Sequence, residues 1–109
     1  IVHLSSIGVK YGGGKGSFCY SLSKHGLEFF PSKVKEWAKK NVLVNTVRVG
    51  VTNTKIHKKL PYKNLKKRAK LIPIKRFATI NEIVNYIYFL GSSKNTYITN
   101  EVISISGGE

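Results

Sequence analysis

Tyr20 and Lys24 are the residues whose types and spacing most directly specify chemistry in this chain. Four positions apart on a helix, they project from one face, which sets an ammonium beside a phenol. A phenol ordinarily ionises near pH 10, and each unit of lowering requires about 1.4 kcal/mol of preference for the phenolate. A neighbouring positive charge supplies such a preference, so the pair is suited to moving a proton near neutrality. The plain alternative is an ordinary surface Tyr-Lys pair. Ser5 and Ser6 follow an apolar run. A hydroxyl at a strand end can donate to a carbonyl and to the oxyanion that develops on it. Capping or turn bonding is the alternative, above all for Ser5. No Asp or Glu lies close in sequence to build a hydrolase triad with either serine, and His3 and His25 have no evident partner.

The run Gly12-Gly13-Gly14-Lys15-Gly16-Ser17 joins a strand to a helix, as phosphate-binding loops do. It misses the P-loop pattern, which would need glycine at Val9 and a hydroxyl residue at Gly16. A flexible loop beside a substrate opening is expected instead. Ile1 to Ser5 predicts a short strand, and Gly8 to Gly16 the loop. A helix follows from about Phe18 toward Lys40 with an apolar stripe at Leu27, Phe30, Val34 and Trp37, and Pro31 kinks it or begins a second helix. Val42 to Val49, β-branched and apolar nearly throughout, predicts a strand buried on both faces. Pro61 and Pro73 bracket a helix over Tyr62 to Leu71. Thr79 and Glu82 form a capping-box pattern opening a helix with Ile80, Ile83, Val84 and Ile87 on its apolar face and Gly91 at its close. Glu101 to Ser106 predicts the last strand, with Val102, Ile103 and Ile105 inside it. This alternation of strands and helices implies parallel, right-handed crossovers.

The composition narrows the class. In 109 residues, 41% are hydrophobic and Lys+Arg 19 face Asp+Glu 5, a net charge of +14. That is one domain or less, and too apolar for a disordered basic tail. No apolar run reaches the roughly 18 residues of a membrane span, and nothing resembles a signal peptide. The single Cys19 excludes disulfide scaffolds and thiolate zinc clusters, so no metal is expected and a reducing, cytoplasmic setting is. The absence of Met and the strand-like opening Ile1-Val2-His3-Leu4 lead us to expect the downstream piece of a longer protein. The positive charge is densest at Lys55, Lys58, Lys59, Lys63, Lys66, Lys67, Arg68, Lys70, Lys75 and Arg76. Lysines far outnumber the three arginines, Arg48, Arg68 and Arg76, whereas specific nucleic-acid contacts favour arginine. A solvated basic surface is the simpler interpretation.

Ser5-Ser6, Tyr20-Ser21-Leu22-Ser23-Lys24, Val44-Asn45 with Gly50 and Thr54, and Ile103-Ser104-Ile105-Ser106-Gly107-Gly108 stand in a particular order and spacing. Together they resemble the downstream half of the short-chain dehydrogenase/reductase family. Ile74-Lys75-Arg76-Phe77 before Asn81-Glu82-Ile83, and Tyr97-Ile98-Thr99, extend the likeness over nearly the whole chain. The resemblance implies an α/β fold, the C-terminal half of a Rossmann-like doubly wound parallel sheet with three strands and crossover helices. Residues 1 to 109 would be the C-terminal portion of a single domain whose dinucleotide-binding half lies upstream.

It also implies NAD or NADP as cofactor and interconversion of a carbonyl and a secondary alcohol. Tyr20 would transfer the proton, helped further by the positive ring of an oxidised nicotinamide. Lys24 would favour the phenolate and hold the nicotinamide ribose, and Ser6 would orient the carbonyl. Ser6 precedes Tyr20 by fourteen residues, one more than the commonest family spacing, which implies an extra residue in the glycine loop. Gly50, Thr52 through its backbone and Thr54 through its hydroxyl would join Tyr20 and Lys24 in contacting the cofactor. Val49 stands where the family has proline, restoring a backbone donor and loosening the turn. A lid over Lys55 to Lys75 would cover an anionic substrate such as a carrier-linked acyl group or a phosphorylated sugar. A homodimer or homotetramer is implied, with no specific nucleic-acid or membrane partner. Alone, residues 1 to 109 are expected to self-associate through the uncovered first strand, and neither to catalyse nor to bind dinucleotide tightly.

The competing classes are a small basic nucleic-acid-binding module and a catalytically silent oligomerisation fragment built around Trp37. Under the solvated-surface interpretation, any DNA or RNA affinity is independent of sequence and collapses between about 50 and 200 mM salt. Binding measured across that range checks this, and sequence-selective, submicromolar binding at physiological salt would promote the nucleic-acid module.

Overall fold

The computed structural model describes residues 1–55 and 62–109. Three short segments, the last two rich in β-branched residues, pair as a sheet: β1 (Val2–Ser6), β2 (Asn45–Val49) and β3 (Val102–Ile105). Their order is β1-β2-β3 and both pairings are parallel. Leu4 stands opposite Val47 and Val47 opposite Ile103, while Ser5 stands opposite Arg48 and Arg48 opposite Ser104. Because side chains alternate along a strand, one face carries Val2, Leu4, Val47, Val49, Ile103 and Ile105, with Ser6 and Asn45. The other carries His3, Ser5, Thr46 and Arg48.

The strand is buried on both faces as expected, through Val47 on one and Thr46 on the other, but the second face is polar and the strand does not start at Val42. The chain spends residues 40 to 44 on leaving a helix: Asn41 adopts φ 59 and the Val42 amide donates to the Trp37 carbonyl. Val42 is left exposed, and β2 begins three residues later than expected. Asn45 is fully buried, and its amide group donates to the Ile98 carbonyl while its Oδ1 accepts from the Glu101 amide, which aligns the approach to β3.

Between β1 and β2 run α1 (Phe18–His25), a 3-10 turn over Gly26–Glu28, and α2 (Val34–Lys39). The segment with Pro31 separates the two helices, as the missing amide of proline requires. A continuous stripe is lost with the continuous helix: Val34 is buried, whereas Leu27, Phe30 and Trp37 are half-buried. Between β2 and β3 lie α3 (Tyr62–Leu71) and α4 (Ile80–Gly91). Helix α3 has its expected bounds, while Lys58, Lys59 and Pro61 lie outside the described residues. Beyond it Ile72 is buried, and Arg68 forms an ion pair with Glu109. Gly107 and Gly108, at φ 66 and 98, carry the tail past Ile74 and Pro73, where an added Cβ would come within 3 Å of those side chains.

Helix α4 lies on the apolar face, with Gly91 against Val2, and Ile83 and Leu90 join Val47, Val44, Val34, Ile72 and Ile7 as the buried core. Each such side chain contributes about 1.5–3 kcal/mol through burial. The helix starts as its sequence predicts. Thr79 Oγ1 accepts from the Glu82 amide at 3.3 Å and Glu82 Oε2 accepts from the Thr79 amide at 2.7 Å. It closes at Gly91, as expected, with Ser92 as the C-cap.

Arg76 grips the Glu82 carboxylate through two nitrogens, and that contact, with the Thr79 bonds, lowers the Glu82 pKa from 4.5 to about 2. Stability from this cap is therefore complete above pH 4.5 and is lost as pH falls through about 2. Thr79→Ala in the protein that carries this chain should lower unfolding stability by about 1 kcal/mol, read as a shift of the urea midpoint at constant slope.

Candidate active site

The polar face of the sheet is where the helix bearing Tyr20 and Lys24 is fastened. Ser5 and Arg48 are register partners on β1 and β2, so their side chains stand side by side. Glu28, in the turn after α1, reaches both. Its Oε1 accepts from Ser5 Oγ at 2.7 Å and from Arg48 Nε at 2.8 Å, and its Oε2 accepts from Arg48 Nη2 at 2.6 Å. The Glu28 side chain is only 6% exposed and that of Arg48 27%. Thr46 Oγ1 donates to the Leu27 carbonyl at 2.7 Å, His3 Nδ1 lies 3.4 Å from the same oxygen, and Ser5 Oγ lies 3.1 Å from the Lys24 carbonyl. Polar groups on a buried face thus find partners in the carbonyls at the helix end.

The Arg48 guanidinium holds the Glu28 carboxyl below the usual carboxylate range; Ser5 and His25 add in the same direction and burial opposes. The joint is therefore at full strength above pH 4.5 and loosens as pH falls through the lowered value. Sequence spacing found no acid near the serines and no partners for His3 and His25. The fold supplies Glu28 to Ser5, sets His3 near the Leu27 carbonyl, and puts His25 Nδ1 3.8 Å from Glu28 Oε2. This is not a nucleophilic triad, because the carboxylate is bound directly to the serine and neutralised by Arg48, with no base between them.

Beside this joint, at the C-terminal ends of β1 and β2, Ser5, Ser6, Ile7, Tyr20, Val49, Gly50, Val51 and Thr54 line a cavity of about 440 Å³. Of the expected site residues, Ser6, Tyr20, Gly50 and Thr54 therefore share one cleft. Ser6 Oγ accepts from the Gly8 amide at 3.2 Å, the turn bond expected of Ser5, and this use of its lone pair leaves its proton to donate. Tyr20 is half-exposed. Gly50 lets the chain cross Ser106 at the end of β3, where an added Cβ would lie 2.6 Å from the Ser106 Cα.

Val49 stays in the sheet, opposite Ser6 and Ile105. Thr52 lies outside the cavity lining and forms a parallel bridge with Ala78. The bridge uses the Val51 carbonyl and the Asn53 amide, so Thr52's own amide takes no part in it. The Thr52 hydroxyl donates to the Gly50 carbonyl at 3.1 Å.

Lys24 departs most from expectation. Its Nζ donates to the Leu4 carbonyl at 2.9 Å and lies 6.0 Å from the Tyr20 ring centre. The Asn45 amide donates to the Ile1 carbonyl, and by alternation the carbonyl of Leu4 faces away from β2, toward the open edge of β1. The lysine has taken a sheet acceptor that no strand among the described residues occupies. The glycine loop lines no part of the cleft, and its backbone is bonded into turns: Gly13 N to Gly8 O at 2.9 Å, Gly14 N to Ser17 Oγ at 2.7 Å.

Glu28 and Arg48 escaped sequence reasoning. The signal available was an arginine within a segment expected to be buried, which demands a counter-charge in a chain with only five acids. Among the described residues no three His, Cys, Asp or Glu side chains converge to hold a metal ion, and no helix is long and apolar enough to cross a membrane.

This arrangement has counterparts. The sequence pattern of the family described as "Enoyl-(Acyl carrier protein) reductase" matches residues 1–109. The 3-oxoacyl-(acyl-carrier-protein) reductases FabG of Buchnera aphidicola subsp. Schizaphis graminum and of Aquifex aeolicus are each 40% identical over 109 residues, covering 99% of this chain and 44% of theirs. The chain thus spans less than half the length of these curated relatives. The solved structure "ElxO with NADP Bound" superposes with a TM-score of 0.83 at 28% identity, over 99% of this chain and 45% of that one. With its parallel sheet, its Tyr20-Lys24 helix and a match along its whole length, this chain belongs to the short-chain dehydrogenase/reductase family.

Proposed function

We propose that the protein carrying this chain is an NAD(P)-dependent oxidoreductase that interconverts a carbonyl and a secondary alcohol, with residues 1 to 109 as the C-terminal portion of its catalytic domain. The observation that carries this reading is the single cleft lined by Ser6, Tyr20, Gly50 and Thr54. Two hydroxyls of different acidity converge there from a strand end and a helix, as proton transfer to one carbonyl oxygen requires.

The cleft fits the nicotinamide end of the cofactor. Its walls combine apolar Ile7, Val49 and Val51 with the Thr54 hydroxyl, and the Thr52 amide beyond them is left out of the bridge to Ala78. Thr52 and Thr54 would hold the carboxamide, and Tyr20 and Lys24 the ribose. When bound, the nicotinamide supplies or accepts the hydride.

In reduction, Ser6 donates a hydrogen bond to the substrate carbonyl and holds the charge that develops on its oxygen. Tyr20 then gives its phenolic proton to that oxygen, and the neighbouring Lys24 ammonium stabilises the phenolate left behind. Oxidation runs the same steps in reverse. The pyrophosphate turn and the residue choosing between NAD and NADP would come from a preceding segment. A strand of that segment, paired to β1, would claim the Leu4 carbonyl and free Lys24 to turn toward the ribose.

The exposed lysines of α3 and the turn after it, Lys66, Lys67, Lys70 and Lys75, favour an anionic substrate. The names of the relatives favour a carrier-linked 3-oxoacyl group over a phosphorylated sugar. A homodimer or homotetramer acting in the cytoplasm completes the reading. The nucleic-acid alternative has less support, because Arg48, Arg68 and Arg76 are each committed to a carboxylate.

In the protein that carries this chain, Tyr20→Phe should keep cofactor binding and lose about 10²–10⁴ of turnover. Lys24→Ala should weaken both. Near-normal carbonyl reduction by Tyr20→Phe from about pH 6 to 9 would show that another group transfers the proton.

A further inference from the structure

We infer that Glu28, clamped by Arg48, is a positioning residue for this site: its bond to Ser5 sets the height and rotation of the helix carrying Tyr20 and Lys24 above Ser6. The inference rests on the proposed roles of Tyr20 and Ser6. Ser5 is covalently joined to Ser6, so its side chain reports the position of the strand end that forms one wall of the cleft. Glu28 lies four residues beyond Lys24 and eight beyond Tyr20, in the 3-10 turn that follows the helix forming the other wall. The carboxylate between them accepts three bonds of 2.6 to 2.8 Å, two from the guanidinium fork and one from Ser5. A fork on a carboxylate fixes its plane as well as its distance.

Adhesion alone would not call for this construction. Apolar residues of similar volume replace a buried ion pair with little loss of stability, and often with a gain. Apolar contact has no direction, whereas three oriented bonds allow little sliding of the helix along the sheet. The second set of contacts acts the same way, with Thr46 on the Leu27 carbonyl and Ser5 near that of Lys24. Displacement of a catalytic group by about 1 Å costs about a hundredfold in rate, so a joint eight residues from the phenol has that leverage. The ionisable groups facing Glu28 are Arg48 and His25. His25 is largely exposed, which leaves Arg48 as the partner that fixes the carboxylate.

The test uses Glu28→Gln and Ser5→Ala in the protein that carries this chain, with rates expressed per cofactor-binding site so that unfolded molecules do not count. Glutamine keeps the length but sets an amide against the guanidinium fork. Alanine removes the Ser5 hydroxyl, with its bond to Glu28 and its contact with the Lys24 carbonyl, and leaves Glu28 paired with Arg48. The expected result is a fall in kcat of about 10- to 100-fold for Glu28→Gln, and a smaller one for Ser5→Ala, with KM for the nicotinamide cofactor, which Thr52 and Thr54 also hold, rising less than kcat falls. In the alcohol-oxidation direction the rise of kcat with pH should move to higher pH in both, since the ammonium no longer sits where it favours the phenolate. Glu28→Asp, which keeps the charge but shortens the reach, should recover part of the loss.

Unchanged kcat per site and an unmoved pH profile in both variants, with Tyr20→Phe inactive, would remove the positioning role and leave the function standing. If Glu28→Gln does not fold, Ser5→Ala decides alone, and normal kinetics there overturn the inference. An active Tyr20→Phe would overturn both readings.

Discussion

A carboxylate taken out of water must be paired, and the pairing of Glu28 with Arg48 is the constraint on which the rest of this structure depends. Removing one partner of a fully buried pair costs about 3–5 kcal/mol, a large share of the roughly 5–15 kcal/mol that holds a domain folded. Arg48 keeps 27% of its side chain exposed, which argues for the low end of that range. The consequences run outward in both directions. Toward the sheet, the pair explains how β1 and β2 can present His3, Ser5, Thr46 and Arg48 on an inner face without leaving polar groups stranded. Toward the helix, it holds the 3-10 turn that ends α1 against the strands, where the carbonyls of Lys24 in α1 and Leu27 in the turn serve as acceptors.

The cleft is a by-product of that joint and of parallel topology. Strands that all run one way end on one side of the sheet, and the chain must leave each of them there. Ser6 leaves β1 through a turn that it caps, the chain leaves β2 past Gly50, and Tyr20 is brought over both by the helix fastened behind it. Chemistry placed at such a point needs few residues. One hydroxyl fixes an oxygen, a more acidic one gives it a proton, and a cation stabilises what remains. The apolar face holds this arrangement from the other side through Val47, Ile83 and Leu90.

Much of this was legible in the sequence where the signal is local. The Thr79-Glu82 capping box, the bounds of α3 and the break at Pro31 each follow from neighbouring residues and the geometry of a helix end. Ser6, Tyr20, Gly50 and Thr54 were legible as an ordered set and meet in the cleft. What was not legible depends on register. That Ser5 faces Arg48 is a property of the β1-β2 pairing, and no spacing within either segment states it. For the same reason nothing within Val42 to Val49 says what its polar members do, since the partners that make Thr46 and Arg48 tolerable come from residues 27 and 28. The position of Lys24 depends on something further: whether the edge of β1 is paired.

The most direct test is a crystal structure of the protein that carries this chain, with nicotinamide cofactor and a carbonyl substrate or unreactive analogue bound. The shared cleft predicts that Ser6 Oγ and the Tyr20 phenol both lie within about 3 Å of one ligand oxygen. Glu28 should still bridge Arg48 and Ser5, and Lys24 should have left the Leu4 carbonyl for the ribose. A ligand whose carbonyl meets neither hydroxyl, or a Tyr20 turned away from Ser6 while Glu28 keeps its bonds, would contradict both the joint and the chemistry assigned to it.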